Sequence, residues 1–337
     1  MIGTQEASLT HRGHDVAKKV LVTGGAGFIG SHVADGYLAR GDRVWIVDDL
    51  STGKRDNLPV EATFIEMSIE DPRMGDLFSE VGFDLVNHHA AQSDVRISVA
   101  DPRRDAKTNV SGLLNVLEGA RRCGTCRVIY ISSGGVVYGE PKVIPTPETV
   151  PKLPLSPYGV SKLSGELYLH YYREVHGLQY IALRYSNVYG PRQDSEGEAG
   201  VVAIFSSCLL ARETLHVFGD GEQTRDYVYV GDVVRANLFA SDLSLEGGGN
   251  LDDLAFNIGT GVATSVNCLA DALEKVSGVH SGRSFEPPRP GELQDSTLDI
   301  SRIRGRGWNA EVGLEEGLAT TFGWIADQHR ASSGVRR

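Results

Sequence analysis

Long apolar segments are missing from this chain of 337 residues. No apolar run approaches the roughly 18 residues that a membrane-spanning helix requires, and residues 1–18 lack an apolar stretch of the signal-peptide type. We therefore expect a flexible N-terminal arm at 1–18, a short tail at 331–337 and no membrane partner. His11 and His14 in the arm are weak candidates for metal ligands.

The chain also has few cysteines and no excess of positive charge. The four cysteines do not suggest a disulfide framework and favour a reducing compartment, so a cytoplasmic protein is expected. Cys123 and Cys126 form a CxxC, which would indicate a redox or zinc site only beside a second pair or a histidine cluster. A helix end followed by a strand is the favoured interpretation, and no metal is expected. The net charge of −11 argues against a nucleic-acid partner.

A glycine-rich turn lies between a predicted strand and a predicted helix. The apolar run KVLVT directly precedes GGAGFIG, and SHVADGYLARG follows with helical periodicity. Bare backbone at such a turn can approach a pyrophosphate, and the helix N-terminus supplies amide donors. The glycines of this spacing are Gly24, Gly27 and Gly30. Asp48 ends the next strand, where its carboxylate can accept a hydrogen bond from an adenosine ribose, so NAD is predicted over NADP.

Further strands alternate with helical patterns along the first half of the chain. We predict these strands at 62–66, 83–88, 127–132 and 179–184. This alternation predicts an α/β fold with a Rossmann-type, doubly wound parallel sheet. In such a sheet the carboxyl ends of the strands meet at one edge, where ligands bind.

The pattern changes after residue 187. We expect residues 19–187 to form an NAD-binding domain and residues 188–330 to form mainly a smaller, substrate-binding C-terminal lobe. The run near 255–258 is predicted to return to the main sheet as a further strand.

A tyrosine and a lysine four residues apart are predicted on one helix face. Pro157 suits a first helical turn, so a helix beginning near Tyr158 would carry Lys162 on the same side, about 5–6 Å away at Cβ. A phenol is a poor base at neutral pH, but a neighbouring ammonium favours the phenolate. The pair is a plausible proton acceptor for an alcohol that is being oxidised.

Several motifs together resemble one superfamily. They are TGGAGFIG at 23–30, HHAAQSDVRISVADP at 88–102, SSGGVVYGE at 132–140, SPYGVSK at 156–162, RYSNVYGPRQ at 184–193 and RDYVYVGDV at 225–233. The chain resembles the extended short-chain dehydrogenase/reductases, and within them the UDP-glucose 4-epimerases and their UDP-N-acetylglucosamine relatives.

The resemblance implies an activity and a catalytic set. The activity is the NAD-dependent inversion of carbon 4 of a UDP-hexose (UDP-glucose, UDP-galactose or a UDP-N-acetylhexosamine) through a 4-keto sugar. Tyr158 is the base, Lys162 supports it and holds the nicotinamide ribose, and Ser133 bonds the substrate hydroxyl, with Ser132 as the alternative. A homodimer through helices that include 108–122 and 158–173 is also implied.

The resemblance also implies two sets of binding residues. The cofactor set is Gly24, Gly27, Phe28, Ile29, Gly30, Asp48, Ser51, Gly53, Ser68, Ile69, Ala90, Ala91, Gln92, Asn109, Tyr158, Lys162 and Tyr185. The substrate set is Ser133, Tyr158, Asn187, Val201, Arg225, Arg289, Glu292 and Ser296. Asp226 and Tyr227 are candidates for bracing Arg225. A serine at 296 would leave room for an N-acetyl group on carbon 2 of the sugar.

Other activities remain open from the sequence. Nucleotide-sugar 4,6-dehydratases share the Tyr-Lys pair but commonly follow the hydroxyl residue with Asp-Glu, where this chain has Gly134 and Gly135. A decarboxylase or uronate epimerase would need a cation near carbon 6, for which Arg96 and Arg192 are candidates. A dinucleotide-sensing or scaffold protein that lost turnover is a third possibility, although the tyrosine, the lysine and the serines are all present.

Overall fold

A parallel sheet organises the part of the chain that the structure describes. The structure is a computed structural model, and it describes residues 17–194, 200–245, 247, 249–289 and 293–332. The sheet strands are β1 (Lys19–Thr23), β2 (Arg43–Asp48), β3 (Thr63–Glu66), β4 (Leu85–His88), β5 (Arg127–Ser133), β6 (Gln179–Tyr185) and β11 (Ala255–Ile258). They lie in the order β11-β6-β5-β4-β1-β2-β3, and all neighbours are parallel.

Helices cover both faces of this sheet. Those of the first half are α1 (Phe28–Arg40), α2 (Met74–Val81), α3 (Val95–Ala100), α4 (Pro102–Ala106), α5 (Leu113–Cys123) and α6 (Pro157–His176), with a π-helical turn at Lys107–Gly112 and a 3-10 turn at Arg55–Asn57. On one face Tyr37 of α1 packs in a core with strand residues such as Val22. On the other, Phe78 and Leu169 pack with Val86. Because parallel strands need crossover connections, both sheet faces are buried and the strands are nearly continuously apolar.

The second half of the chain adds a separate apolar core. Its elements are β7 (Asn187–Tyr189), α7 (Val201–Ala211), β8 (Leu215–Phe218), β9 (Thr224–Arg225), β10 (Tyr227–Tyr229), α8 (Val230–Asp242), a 3-10 turn (Leu251–Leu254), β12 (Thr264–Ser265), α9 (Val266–Ser277), β13 (Arg283–Glu286), β14 (Asp295–Ser296), α10 (Ser301–Gly305) and α11 (Leu314–Ser332). Phe205, Leu269 and Leu318 lie in this core. By contrast, α8 packs against α1 on the main sheet.

The predicted doubly wound α/β fold is confirmed. The strands predicted at 127–132 and 179–184 match β5 and β6 within one residue. Residues 255–258 lie beside β6 as β11, at the edge of the sheet. Each strand of the first half ends at the same edge, so the residues that follow these strands face a common space.

The cysteines do not pair among the described residues. Cys123 is the last residue of α5, and Cys126 directly precedes β5. All four cysteines are free thiols. Among the described residues, no helix combines the length and the apolar character needed to cross a bilayer.

Candidate active site

One large cavity lies at the carboxyl edge of the sheet. Its volume is about 1780 Å³, larger than the roughly 300–1,000 Å³ of a pocket for a single small ligand. Its lining includes residues that follow β1, β2, β4, β5 and β6, such as Gly24, Asp49, Ala90 and Ser186. The cavity can therefore hold two ligands that meet near the end of β5.

The glycine turn forms one wall of the cavity. Gly24 has φ +70°, and a Cβ there would lie 2.6 Å from the Ala90 nitrogen. A Cβ on Gly30 would lie 2.2 Å from the Gly24 oxygen, so only glycine allows α1 to begin this close to β1. No side chain among the described residues caps the N-terminus of α1. Its amide groups and the bare turn fit a pyrophosphate.

Asp48 stands at the end of β2 beside this turn. Its carboxylate accepts hydrogen bonds from the Ala26 nitrogen at 3.0 Å and the Leu50 nitrogen at 2.8 Å. Burial raises the pKa of Asp48, and the two amide bonds act against that rise. Gly53 packs directly against this carboxylate, because a Cβ at 53 would lie 2.8 Å from Asp48 Oδ1. The site fits an adenosine ribose, and a negative charge here disfavours a 2′-phosphate.

Most residues of the predicted cofactor set line the cavity. They are Gly24, Gly27, Phe28, Ile29, Gly30, Asp48, Ser51, Ser68, Ile69, Ala90, Ala91, Gln92, Tyr158, Lys162 and Tyr185. Gly53 and Asn109 lie outside the lining that the described residues form. Asn109 accepts a hydrogen bond from the Gln92 nitrogen at 2.9 Å and donates to its oxygen at 2.8 Å. Its side chain therefore holds the segment after β4, and its contact with the cofactor stays a prediction.

Tyr158 and Lys162 lie on α6, which begins at Pro157 as the sequence suggested. Ser156 caps the helix, since its hydroxyl accepts from the Gly159 nitrogen at 3.1 Å. Lys162 Nζ lies 5.7 Å from the centre of the Tyr158 ring and donates to the Ile131 oxygen at 2.8 Å. The structure therefore brings the phenol and the ammonium together in the cavity, next to the end of β5.

The two serines that end β5 have different surroundings. Ser132, only 2% exposed, donates a hydrogen bond to Glu166 Oε1 at 2.5 Å. Ser133 is partly exposed, and both serines line the cavity. Because the Ser132 hydroxyl is already bound to a buried carboxylate, Ser133 is the better candidate for contact with a substrate hydroxyl.

The predicted substrate residues divide between two cavities. Asn187, Arg225 and Ser296 line the large cavity together with Ser133 and Tyr158, and Val201 lies outside its described lining, where Gly200 takes part instead. Arg289 lines a second cavity of about 800 Å³.

Arg289 stacks its guanidinium 3.8 Å from the centre of the Phe218 ring. This arrangement places the Arg289 cation in the second cavity, and its predicted contact with a substrate phosphate stays a prediction. Leu293 lines both cavities, so the two adjoin. Glu292 lies outside the described residues.

The buried carboxylate of Asp226 binds the turn after β11. It accepts from the Thr260 nitrogen at 2.8 Å, the Thr260 hydroxyl at 2.6 Å and the Gly261 nitrogen at 3.1 Å. Burial raises the pKa of Asp226, and these hydrogen bonds act against that rise. Asp226 thus fixes this turn rather than bracing Arg225 as predicted, and Arg225 donates to the Thr224 oxygen at 2.7 Å.

Sequence reasoning missed His89 as a lining residue. It follows β4, lines the large cavity and lies 6.4 Å from the Tyr185 ring centre. Burial, with a smaller effect of the Lys162 charge, lowers the pKa of His89 to about 3, so the ring is neutral. The only signal in the sequence was its place at the end of a predicted strand, inside the HHAAQ motif.

The positions considered for the alternative activities have their own surroundings. A Cβ on Gly134 would lie 2.5 Å from a Leu298 methyl carbon, so this position has no room for an acidic side chain. Arg96 and Arg192 both line the cavity, but Arg96 pairs with Asp94 at 2.6 Å and Arg192 with Asp35 at 2.8 Å. Both cations thus already have carboxylate partners.

No metal centre forms within the described ranges, where no three His, Cys, Asp or Glu side chains gather around a common point. His11 and His14 lie outside those ranges.

This geometry defines the class of protein: an α/β protein that binds a dinucleotide at the carboxyl edge of its sheet. The chain belongs to the NAD dependent epimerase/dehydratase family, whose profile matches residues 20–259. It is 45% identical over 309 residues to a UDP-glucose 4-epimerase of Mycolicibacterium smegmatis, covering 90% of this chain and 97% of the relative.

Two solved structures are similar over nearly the whole chain. UDP-glucose 4-epimerase of Thermotoga maritima with UDP-glucose is 49% identical, with a TM-score of 0.88 and coverage of 92% of this chain and 99% of that one. UDP-glucose 4-epimerase of Thermus thermophilus in complex with NAD is 41% identical, with a TM-score of 0.85 and coverage of 91% and 98%.

Proposed function

We infer that this protein is an NAD-dependent UDP-hexose 4-epimerase that interconverts UDP-glucose and UDP-galactose through a 4-keto sugar. This proposal rests mainly on one observation: Tyr158, Lys162 and Ser133 line the same cavity as the glycine turn and Asp48. A cofactor and a sugar bound there would meet at these three side chains. Three relatives named UDP-glucose 4-epimerase support this activity, and the solved structures of two of them contain UDP-glucose and NAD respectively.

The catalytic roles follow from the chemistry of each side chain. Tyr158 takes the proton from the carbon 4 hydroxyl and later returns it to the carbon 4 oxygen, after the sugar has turned over. The Lys162 ammonium favours the ionised form of the phenol, and its hydrogen bond to the Ile131 oxygen fixes its place. Ser133 bonds the reacting oxygen and orients it. NAD held on the glycine turn and Asp48 would supply reversible hydride transfer at carbon 4, with the hydride returned to the opposite face, so no external reductant would be consumed.

Binding through the nucleotide leaves the sugar able to turn over. Arg225 in the large cavity and Arg289 in the adjoining one provide two cations for a diphosphate, a charge that this acidic protein would otherwise repel. Asn187 supplies an amide near the sugar. With the UDP held across Leu293 and few groups fixing the hexose, either face of the keto ring can reach Tyr158.

We propose that the protein forms a homodimer through α6. Val160, Leu167, Tyr171 and Val175 are 51%, 54%, 48% and 60% exposed. Their spacing places them along one side of the helix, and an exposed apolar stripe of this kind is typical of an interface. Light scattering should show a dimer for the wild type and for Val60→Glu, a distant exposed control, but a monomer for Leu167→Glu. A dimeric Leu167→Glu variant would exclude this face.

A cytoplasmic location stays a prediction, supported by the four free thiols.

The function is tested by incubating the purified protein with UDP-galactose and separating the products. UDP-glucose should form without added cofactor, because NAD is restored in each cycle. Absence of UDP-glucose both without and with added NAD would contradict the proposed activity. A 4-keto product that has lost the carbon 6 hydroxyl would indicate a dehydratase instead.

A further inference from the structure

Arg184, in β6, is a fully buried cation at the centre of a polar network. Its Nε donates to Glu166 Oε1 at 3.0 Å and its Nη2 to Glu166 Oε2 at 2.6 Å, a two-pronged contact. Nη1 donates to the Tyr138 hydroxyl at 3.0 Å and the Glu148 oxygen at 3.3 Å, and Nη2 also reaches Asp252 Oδ1 at 2.9 Å. One guanidinium thus joins three separate parts of the chain.

One of those parts is the segment that connects two proposed catalytic hydroxyls. Residues 134–156 run from Ser133 at the end of β5 to the start of α6, where Tyr158 lies. Arg184 binds this segment at Tyr138 and at Glu148. The path between the two hydroxyls is therefore held at two internal points by the same side chain.

Glu166 connects Arg184 to the elements at both ends of residues 134–156. It lies on α6 four residues after Lys162, and its carboxylate accepts from the Ser132 hydroxyl at 2.5 Å. Since Ser132 directly precedes Ser133, the Arg184–Glu166 pair links the strand end to the helix that carries Tyr158.

Stability alone does not account for the buried ion pair of Arg184 and Glu166. Removing two charges from water is costly, and apolar residues of similar volume often stabilise a core as well or better. Burial would lower the pKa of Arg184, but the Glu166 carboxylate outweighs it and holds that pKa above its usual value. A planar guanidinium carries five donors in a fixed fork, enough for the five acceptors around Arg184, whereas a lysine ammonium has three donors.

We propose that Arg184 is a positioning residue, which sets the distance between the Ser133 and Tyr158 hydroxyls by clamping residues 134–156 and Glu166. The proposal rests on the epimerase function inferred above. Catalytic groups need to be held closely in place, because a misplacement of about 1 Å can cost about 100-fold in rate. Arg184 itself is fully buried outside the described cavity lining and acts through the residues it binds.

The test compares Arg184→Lys with Arg127→Lys. Arg127 begins β5, at the other end of the strand that carries Ser133, and donates to the Ala240 and Ser241 oxygens at 2.8 and 3.0 Å. Both variants lose hydrogen bonds and stability, but only Arg184→Lys should lower kcat, by about 10- to 100-fold. KM for UDP-galactose and the amount of retained NAD should stay near wild type in both.

A double variant provides a second test in case Arg184→Lys does not fold. Glu166→Leu with Arg184→Met removes both buried charges, so it should keep melting behaviour close to wild type while kcat falls as in Arg184→Lys. Equal kcat values in the wild type and the double variant, or equal losses in Arg184→Lys and Arg127→Lys, would overturn the proposal.

Crystal structures separate this proposal from the proposed function. In Arg184→Lys or the double variant, residues 134–156 should be displaced relative to the wild type while the sheet is unchanged. An unmoved segment would overturn the clamp even if the enzyme proved active. An inactive wild type with a displaced segment in the variant would instead refute the epimerase function alone.

Discussion

Ser132 and Ser133 are adjacent at the end of β5, but they face different surroundings. Both serines line the cavity with Tyr158 and Lys162, but Ser132 is buried and its hydroxyl donates to Glu166 Oε1 at 2.5 Å, whereas Ser133 is partly exposed. The sequence left the choice between these two hydroxyls open. The hydrogen bond to Glu166 favours Ser133 for the substrate contact, and the following variants test that choice.

Ser133→Ala should lower kcat by about 100-fold, because a hydrogen bond to the reacting oxygen is lost in the transition state. Ser132→Ala should cost less than about tenfold in kcat and should lower the melting temperature, because it leaves Glu166 without one of its buried donors. Steady-state kinetics and thermal unfolding of the two variants check this. The reverse order of the two kcat losses would show that Ser132 is the catalytic hydroxyl.

Asp48→Asn should weaken NAD binding and shift the preference toward NADP. The variant removes the negative charge that would repel a 2′-phosphate and keeps the side chain's shape. We expect the ratio of the Kd values for NAD and NADP to change by at least about tenfold in titrations of cofactor-free protein. Asp76→Asn, at an exposed position outside the described cavity lining, is the control, and a similar change there would argue against a specific role of Asp48.

Ser296→Tyr tests the space around carbon 2 of the sugar. Ser296 lines the cavity on β14, and an aromatic ring there would fill the room for an N-acetyl group. Turnover of UDP-N-acetylglucosamine should fall selectively, while turnover of UDP-glucose stays within a few-fold. Equal losses on both substrates would count against the assignment.

The stability of the protein should fall in mild acid because His88 is buried neutral. Burial, with smaller effects of the Lys162 and His89 charges, lowers the pKa of His88 to about 3. Below the usual histidine pKa of about 6.5, the unfolded chain binds a proton that the folded chain does not. The free energy of unfolding therefore decreases as the pH falls from about 6.5 toward 3, with a slope of up to about 1.4 kcal/mol per pH unit from this residue.

His88→Asn should make that slope shallower in urea unfolding between about pH 7 and pH 5. The variant also loses the contact between the imidazole Nδ1 and the Thr23 hydroxyl at 2.9 Å, so its stability at pH 7 should be lower. The measurement is the slope of the free energy of unfolding against pH, rather than its value at one pH. A variant slope equal to that of the wild type would show that His88 does not titrate in this range.

The sequence was most informative where a local rule governs the structure. The glycine turn, the apolar strands and the position of Tyr158 relative to Lys162 all follow from spacing within a few residues, and the structure places them as predicted. Their common position at the carboxyl edge follows from the rule that parallel strands end together.

Contacts between distant residues could not be predicted in this way. Arg184 binds Glu166, Tyr138 and Asp252 because three folded segments meet there, and no local pattern reveals such a meeting. The stacking of Arg289 on Phe218 has the same origin, since the residues come from β8 and the segment after β13. The hydrogen bonds between Asn109 and Gln92 likewise form only in the folded chain, and the sequence could not reveal them.

The most direct test of the central claim compares Tyr158→Phe with Tyr168→Phe in the conversion of UDP-galactose to UDP-glucose without added cofactor. Both tyrosines lie on α6, but Tyr168 is exposed, outside the cavity lining that the described residues form. We predict that Tyr158→Phe retains NAD and the fold but loses about 10²- to 10⁴-fold in kcat, while Tyr168→Phe keeps wild-type activity. A Tyr158→Phe variant that isomerises the sugar at the wild-type rate would contradict the account.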